Sequence, residues 1–311
     1  MKKLNRKYVV GVLIPAIFIG ILIVLFIVTG IVYTQVFKRF DKEPETGYSS
    51  REEFTFMSGE NKLTGFLYGR GASDLIVFVS GFRAIQDDYL PLVKALIAED
   101  FAVFTFDPTG VGRSEGEDQV SYAQIVHDLD ACLDFIDENG HFGCTRISIV
   151  GHSRGGFAAC MEASRVDSVV AAGGLASNMD GVLHGAYTKV GGLAYLNYPM
   201  LWLWQTAKFG QTDTNMDAIT ALMSCDTDVL IIQGTLDESV PKNRFSLFSK
   251  IAGVMSNASV VQKLVPYGHV DMLYTESGAN PETVQLITKF IRFNDMKYME
   301  LPMEAPLRSA A

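Results

Sequence analysis

The sequence predicts an α/β fold: a mostly parallel central sheet with helices on both faces and a short helical lid. Runs rich in Val, Ile, Leu and Phe alternate with amphipathic stretches, which is typical of successive strand-helix-strand units. A glycine-rich turn with a serine at its centre joins one apolar run to a helical stretch. A long segment without a strand pattern, about 178–224, interrupts the alternation and predicts the lid.

An opening hairpin is predicted first, and the strands that follow it are short, mostly apolar runs. The strands are expected at 54–57, 62–68, 75–79, 102–106, 147–150, 169–173, 229–233 and 260–265. The helices between them are expected at 88–99, 122–139, 154–165, 242–252 and 281–292. Parallel strands joined by right-handed crossovers place the loops that follow them at one edge of the sheet, where a site is expected.

The pentapeptide at 151–155, Gly-His-Ser-Arg-Gly, lies between a strand run and a helical stretch. So tight a turn forces its serine into a strained backbone geometry, and glycines two residues away on either side leave room for it. The hydroxyl then stands at a helix N-terminus, where backbone N–H groups favour developing negative charge. The pattern predicts that Ser153 is a nucleophile.

A serine nucleophile needs a general base and a group that orients the base. Asp237 follows the seventh predicted strand, and His269 lies in the loop after the eighth. The three residues therefore occur in the chain order Ser, acid, His. Glu238 is the alternative acid, and His184 is the alternative base, although it precedes the acid strand.

These features resemble the α/β-hydrolase superfamily, in particular its serine esterases and monoacylglycerol-lipase-like members, over about residues 50–295. Besides the pentapeptide at 151–155, the resemblance rests on the stretches at 77–82, 106–116, 234–241 and 268–269. It implies the α/β-hydrolase fold and an oxyanion hole formed by the backbone N–H groups of Phe82 and Arg154. The family usually has His-Gly where this chain has Ser80-Gly81, so the bracing of that loop and the substrates that fit are open.

Motifs of other chemistries are missing from the sequence. The Gly110-Val111-Gly112 stretch lacks the third glycine of a dinucleotide site, because Glu115 stands there. No His-Glu-x-x-His, paired Cys-x-x-Cys or phosphate-binding glycine motif occurs, so no metal or cofactor is expected. Hydrolysis of a small acyl ester or a lipid is the predicted reaction. A peptidase or acyltransferase with the same triad, and a non-catalytic binding protein on this fold, are the alternatives.

The N-terminal region carries no charge over residues 8–37, and residues 9–32 include 18 Val, Ile, Leu or Phe residues. A helix of that length crosses a hydrocarbon core of about 30 Å, and the stretch exceeds the roughly 7–15 apolar residues of a cleavable signal peptide. We expect a signal anchor over residues 1–40 with a transmembrane helix at about 9–33. A linker at 41–52 and a hydrolase domain at 53–311 are expected to follow.

The charges around this span predict its orientation and its partners. Four basic residues and the free amine precede the span, against three basic residues after it. This bias predicts a cell-membrane protein with a cytoplasmic N-terminus and an extracytoplasmic catalytic domain. The formal net charge of −9 argues against nucleic acid as a partner, and the oligomeric state is left open. Removing residues 1–40 is expected to leave a soluble, active enzyme.

The lid segment contains both tryptophans of the protein. Its apolar stretch 195–204 concentrates Tyr195, Tyr198, Trp202 and Trp204, which are predicted to contact the acyl group of the substrate or the membrane. The alternative is that these side chains pack the lid onto the sheet.

Overall fold

An eight-stranded sheet forms the centre of the structure, a computed structural model that describes residues 9–42, 50–242, 245–252 and 260–293. The strand order is β1-β2-β4-β3-β5-β6-β7-β8. The strands are β1 (Glu52–Ser58), β2 (Asn61–Tyr68), β3 (Asp74–Val79), β4 (Ala102–Asp107), β5 (Arg146–His152), β6 (Ser168–Ala172), β7 (Asp228–Gly234) and β8 (Val260–Val265). Only β1 with β2 and β2 with β4 pair antiparallel in this sheet, so the predicted mostly parallel sheet is confirmed.

Helices cover both faces of the sheet, as the alternating pattern predicts. In the described residues they are α1 (Ile14–Val36), α2 (Leu90–Ala98), α3 (Gln124–Glu138), α4 (Arg154–Met161), α5 (Asn178–Val190), α6 (Tyr198–Thr214), α7 (Ala218–Met223), α8 (Leu247–Ile251) and α9 (Pro281–Phe293). The helix expected at 242–252 is shorter than expected. The Ser246 hydroxyl accepts a hydrogen bond from the Phe248 amide and caps α8, so that helix begins only after Ser246.

The buried strands divide the core into two layers. Successive side chains of a strand point to opposite faces. On β3, Val77 and Val79 accordingly pack with Phe157 of α4 on one face, while Phe78 packs with Leu92 of α2 on the other. Because both faces of the central strands are covered, their sequences are apolar at nearly every position.

The segment between β6 and β7 is helical and carries no strand of the main sheet. It contains α5, a 3-10 helix at Gly191–Asn197, α6 and α7. We call this segment, residues 178–223, the lid segment. It lies against the N-terminal helix, since the Trp204 ring of α6 lies 4.3 Å from the Tyr33 ring of α1, centroid to centroid.

The N-terminal helix is the one described helix that is long and apolar enough to cross a membrane. This stretch, Val10–Val36, has a mean hydropathy of 3.1. Most of its side chains are exposed, but Thr29, Gly30 and Tyr33 are buried against the rest of the protein.

The end of this helix is docked on the domain. The Phe40 amide donates to the Gly110 carbonyl at 2.9 Å, and the Phe40 carbonyl accepts from the Gly112 amide at 3.0 Å. The Arg39 guanidinium donates to the Gly112, Ser114 and Gly116 carbonyls. Contact with the domain therefore begins before the expected linker at 41–52, of which residues 43–49 lie outside the described residues.

Candidate active site

The candidate site lies at the carboxyl ends of four neighbouring parallel strands. Ser153 directly follows β5, and Phe82 follows β3 after two residues. Asp237 comes after β7 and His269 after β8. The chain thus delivers these four residues to one edge of the sheet, as expected for loops that follow parallel strands.

The turn around Ser153 has the strained geometry that its glycines predict. Ser153 has φ 55° and ψ −114°, a conformation that non-glycine residues rarely adopt. A Cβ on Gly151 would lie 2.1 Å from the Gly155 carbonyl oxygen, and one on Gly155 would lie 2.1 Å from the Val79 carbonyl oxygen. Any side chain at either position would therefore collide with backbone, so the turn depends on both glycines.

Asp237 and His269 form a hydrogen-bonded pair. Asp237 Oδ2 lies 2.7 Å from His269 Nδ1. Because a carboxylate only accepts hydrogen bonds, Nδ1 carries the proton, which leaves Nε2 of the neutral ring as an acceptor. The buried Asp237 carboxylate is fixed by the Gln233 side-chain amide at 3.1 Å and the Val240 backbone amide at 2.7 Å. The imidazole is thus oriented by a group that cannot easily turn away.

A glycine that the sequence analysis missed makes room for this pair. A Cβ on Gly173, which follows β6 with φ 59°, would lie 3.1 Å from His269 Nδ1 and 3.4 Å from Asp237 Oδ2. A larger residue there would press on the histidine from below. The Gly173-Gly174 pair at the end of a predicted strand is the signal that could have indicated this close approach.

The two alternative residues take other places. The Glu238 side chain is exposed to solvent. His184 belongs to the lid segment, and its ring lies 5.2 Å from the Phe245 ring, centroid to centroid. Burial, together with the nearby His269, lowers the pKa of His184. Asp237 is therefore the acid that contacts His269. Across the described ranges, no cluster of His, Cys, Asp or Glu is placed to hold a metal ion.

The amides expected to form an oxyanion hole are available for a ligand. Arg154 is the first residue of α4, whose N-terminal N–H groups lack partners within the helix. No hydrogen bond from the Arg154 or Phe82 amide to another described residue is found. The Phe82 loop and the helix N-terminus flank Ser153, so both donors can serve a negatively charged oxygen there.

A hydroxyl on a neighbouring helical turn braces the Ser80-Gly81 loop. The Gly81 amide donates to the Tyr89 hydroxyl oxygen at 3.0 Å, while the Ser80 hydroxyl donates to the Ala84 carbonyl at 3.3 Å. These two contacts fix the loop at Ser80 and Gly81, the positions where the sequence departs from His-Gly. No local sequence signal indicates this brace, because Tyr89 lies eight residues after Gly81, in a predicted helix.

His152 links the Tyr89 hydroxyl to the loop that carries His269. Its Nδ1 lies 2.8 Å from the Tyr89 hydroxyl, and its Nε2 lies 3.0 Å from the His269 carbonyl oxygen. Burial lowers the pKa of His152 well below its ordinary range, so the ring is neutral. Because a carbonyl only accepts, Nε2 carries the single ring proton and Nδ1 accepts from Tyr89. This series of hydrogen bonds connects the Ser80-Gly81 loop, which we call the oxyanion loop, to the backbone of His269 and fixes their relative position.

The Arg154 side chain is buried beside the same loop. Its Cζ lies 5.2 Å from the centre of the Phe82 ring, and its Nε and Nη2 atoms have no hydrogen-bond partner among the described residues. Burial lowers the pKa of Arg154, although its ordinary value is so high that the group stays charged. A buried cation there favours negative charge at the neighbouring amides. Arg83, by contrast, is exposed, with its guanidinium 5.2 Å from the Phe40 ring.

A cavity of about 460 Å³ leads from Ser153 and His269 to the outside of the molecule. Most of its lining is aliphatic or aromatic. The N-terminal helix and the lid segment supply most of its walls, and the remainder includes Phe82, Tyr122, Leu175 and Val240. Such a volume is in the usual range for a small-molecule site.

The four predicted lid aromatics lie outside the described lining of this cavity. Tyr195 and Tyr198 are exposed. The Trp202 indole donates to the Asn215 side-chain oxygen at 3.2 Å, and Trp204 is buried against Tyr33. In this arrangement Trp204 packs the lid segment against the N-terminal helix, whereas the alternative interpretation has these side chains pack the lid onto the sheet.

A family model and several solved structures are similar to this chain. Residues 71–208, which include Ser153, match the family Hydrolase_4, described as serine aminopeptidase S33. No curated protein sequence matches the chain.

Among solved structures, the Pyrococcus furiosus esterase Pf2001 is similar with a TM-score of 0.60 at 16% sequence identity, over 82% of this chain and 97% of its own. Acetyl xylan esterase 1 from Thermoanaerobacterium sp. JW/SL YS485 is similar with a TM-score of 0.55 at 18% sequence identity, over 80% of this chain and 86% of its own. Est1E from Butyrivibrio proteoclasticus, solved with ferulic acid, has a TM-score of 0.54 at 16% sequence identity, over 76% of this chain and 96% of its own. With its sheet order and its strained serine turn, the chain has the α/β-hydrolase fold.

Proposed function

We propose that this protein is a membrane-anchored serine hydrolase that cleaves carboxylic esters through an acyl-enzyme intermediate. The observation that carries the proposal is the 2.7 Å hydrogen bond between Asp237 and His269, with the strained Ser153 on the same cavity as His269. A nucleophile, a base and an orienting acid are the parts that acyl transfer requires. The similar structures named as esterases support the choice of substrate.

The proposed reaction has two halves. Ser153 Oγ attacks the ester carbonyl carbon while His269 Nε2 takes the proton of the hydroxyl. The imidazolium that forms is stabilised by Asp237. The Phe82 and Arg154 amides then bind the oxyanion, each contributing about 3 kcal/mol of transition-state stabilisation. His269 returns the proton to the leaving alcohol. Water repeats the sequence on the acyl-enzyme, releases the acid and restores the serine.

The lining of the cavity favours esters with apolar acyl groups over peptides. An aminopeptidase must hold the charged amine of its substrate, for which a carboxylate is the ordinary partner. None of the described residues that line the cavity is acidic. The family description names an aminopeptidase, so peptide cleavage is the second candidate function.

A matched substrate panel tests this proposal. Full-length protein in detergent micelles is given p-nitrophenyl esters of fatty acids and p-nitroanilides of amino acids. We expect turnover of the esters and none of the aminoacyl anilides, because the latter would bring an uncompensated ammonium group into the cavity. Faster cleavage of an aminoacyl anilide than of every ester would favour the peptidase. Diversion of the acyl group to an added alcohol, at the expense of free acid, would favour the acyltransferase.

The membrane part of the proposal rests on the Val10–Val36 helix and the charges around it. We expect the helix to hold the protein in the cell membrane with the catalytic domain outside the cytoplasm. Protease added to intact cells, or to protoplasts where a wall blocks access, is then expected to digest the domain. Protection of the domain would reverse the orientation, and recovery in the soluble fraction would contradict the anchor.

A further inference from the structure

The N-terminal helix forms one wall of the candidate active site. Its cavity-facing side chains belong to about the last three turns of the apolar span. They are Leu25, Val28, Thr29, Val32, Tyr33 and Val36. The same cavity reaches Ser153 and His269. The segment that would hold the protein in a bilayer is therefore also part of the surface that surrounds the substrate.

This wall is fixed to the lid segment. A Cβ on Gly30 would lie 2.3 Å from Nε1 of Trp204, so the glycine lets the indole approach the helix backbone. The Tyr33 ring lies 4.3 Å from the Trp204 ring, and the Asn197 side-chain amide donates to the Thr29 hydroxyl at 3.2 Å. Packing and a hydrogen bond thus hold the helix and the lid segment together.

Aromatic rings connect the inner end of this wall to the oxyanion loop. The Tyr33 and Phe37 rings are stacked with centroids 4.3 Å apart, and the Phe37 ring meets the Phe82 ring edge-on at 5.3 Å. Phe82 supplies one of the proposed oxyanion amides. A group that follows the helix inwards along this wall therefore arrives at the site of the proposed chemistry.

The outer end of the cavity opens beside the helix. Val28, Val32 and Val190 line the cavity and yet are 48%, 56% and 52% exposed, so they lie at its mouth. We call this mouth, between Val28 and Val32 of α1 and Val190 of the lid segment, the portal. Both α1 residues belong to the Val10–Val36 span, and no charged side chain occurs among the described residues that line the cavity.

The lid segment is apolar on its outside near the same helix. Its 3-10 helix is joined to α1 by the hydrogen bond from Asn197. On that helix the Leu193 residue is 66% exposed and Leu196 is 79% exposed. Large apolar side chains at such exposure are costly in water and stable at the boundary of a bilayer. The portal thus lies between two surfaces that suit a lipid environment.

We propose that the substrate is a lipid ester resident in the bilayer, and that its acyl chain enters sideways through the portal to reach Ser153. This inference rests on the proposed esterase function and specifies its substrate class. A chain that passes directly from the bilayer into the portal stays in an apolar environment throughout. It avoids the unfavourable exposure of each methylene to water that entry from the aqueous side would require.

Bulky substitutions on the two sides of α1 test the portal. Val28→Trp and Val32→Trp narrow the mouth, whereas Ile27→Trp and Ile31→Trp place the same ring at exposed positions outside the described cavity lining. Each full-length variant is reconstituted in phosphatidylcholine vesicles and given palmitoyl and butyryl esters of one fluorescent alcohol. We expect the ratio of palmitoyl to butyryl hydrolysis to fall at least tenfold in the Val variants and to stay within about twofold of the original in the Ile variants. Equal ratios in all four variants would overturn the portal.

A second readout does not depend on turnover and separates failure of the portal from failure of the proposed function. Ser153→Ala protein in the same vesicles is irradiated with a palmitoyl ester that carries a diazirine on its acyl chain near the carbonyl group. Crosslinks to residues 181–186 of the lid segment, lost with Val32→Trp and kept with Ile31→Trp, are expected for a chain inside the cavity. Crosslinks confined to the exposed face of α1 would refute entry, whether or not Ser153 proves to be the nucleophile.

Discussion

Replacing Ser153 with Ala is expected to reduce ester hydrolysis by about 10⁴- to 10⁶-fold in folded protein. The substitution removes the oxygen that forms the acyl-enzyme. His269→Ala is expected to cost about as much, and the double variant no more than either, because nucleophile and base act as a unit. The measurement is kcat/KM of the full-length variants on a butyryl ester, with a thermal melt of each to check folding.

Two residues on the same cavity provide matched controls. Ser239 and His184 line it together with Ser153 and His269. Ser239→Ala and His184→Ala are expected to lose no more than about tenfold, since neither side chain has a role in the proposed proton transfer. A loss in His184→Ala as large as in His269→Ala would reassign the base.

Asp237→Asn is expected to reduce kcat by about 10³- to 10⁴-fold with little change in stability. An Asn amide can present an N–H to His269 Nδ1, which favours the tautomer with its proton on Nε2, where it cannot accept the serine proton. Glu238→Gln is the control, because Glu238 is exposed and makes no described contact with His269. We expect that variant to keep its activity within about twofold. Steady-state kinetics on the same ester compare the two.

A greater loss in Glu238→Gln than in Asp237→Asn would contradict the acid assignment. The 2.7 Å contact of Asp237 with His269 would then be a feature of the resting structure only. Equal and small losses in both would mean that neither carboxylate is needed to orient the imidazole, and that fixing the His269 backbone, whose carbonyl accepts from His152 Nε2, is sufficient.

The sequence predicts the sheet well because its signals are local. The six strands that follow the opening hairpin are mostly apolar runs, and all eight strands are present within about two residues of the expected bounds. The glycines around Ser153 likewise indicate the tight turn directly. Glu238 and Asp237 are neighbours in sequence, so only the geometry of the loop decides which carboxylate meets His269.

The contacts that the sequence does not predict are those between distant segments. Apolar residues of the N-terminal span have the same pattern whether they face lipid or a protein surface, so the cavity wall at residues 25–36 has no local signature. The direction of the Trp204 side chain, and the hydrogen bond between Tyr89 and His152, depend on how segments distant in sequence pack together. Removal of residues 1–40 would take away a wall of the cavity. We therefore no longer expect the truncated protein to be a fully active enzyme.

The most direct test of the central claim is fluorophosphonate labelling of the full-length protein, followed by peptide mapping. These reagents phosphonylate an activated serine hydroxyl, so labelling reports the nucleophile without assuming a substrate. The proposed mechanism predicts one adduct on Ser153, absent from Ser153→Ala and strongly slowed in His269→Ala. An adduct on a different residue of the original protein, or undiminished labelling of folded Ser153→Ala, would contradict it.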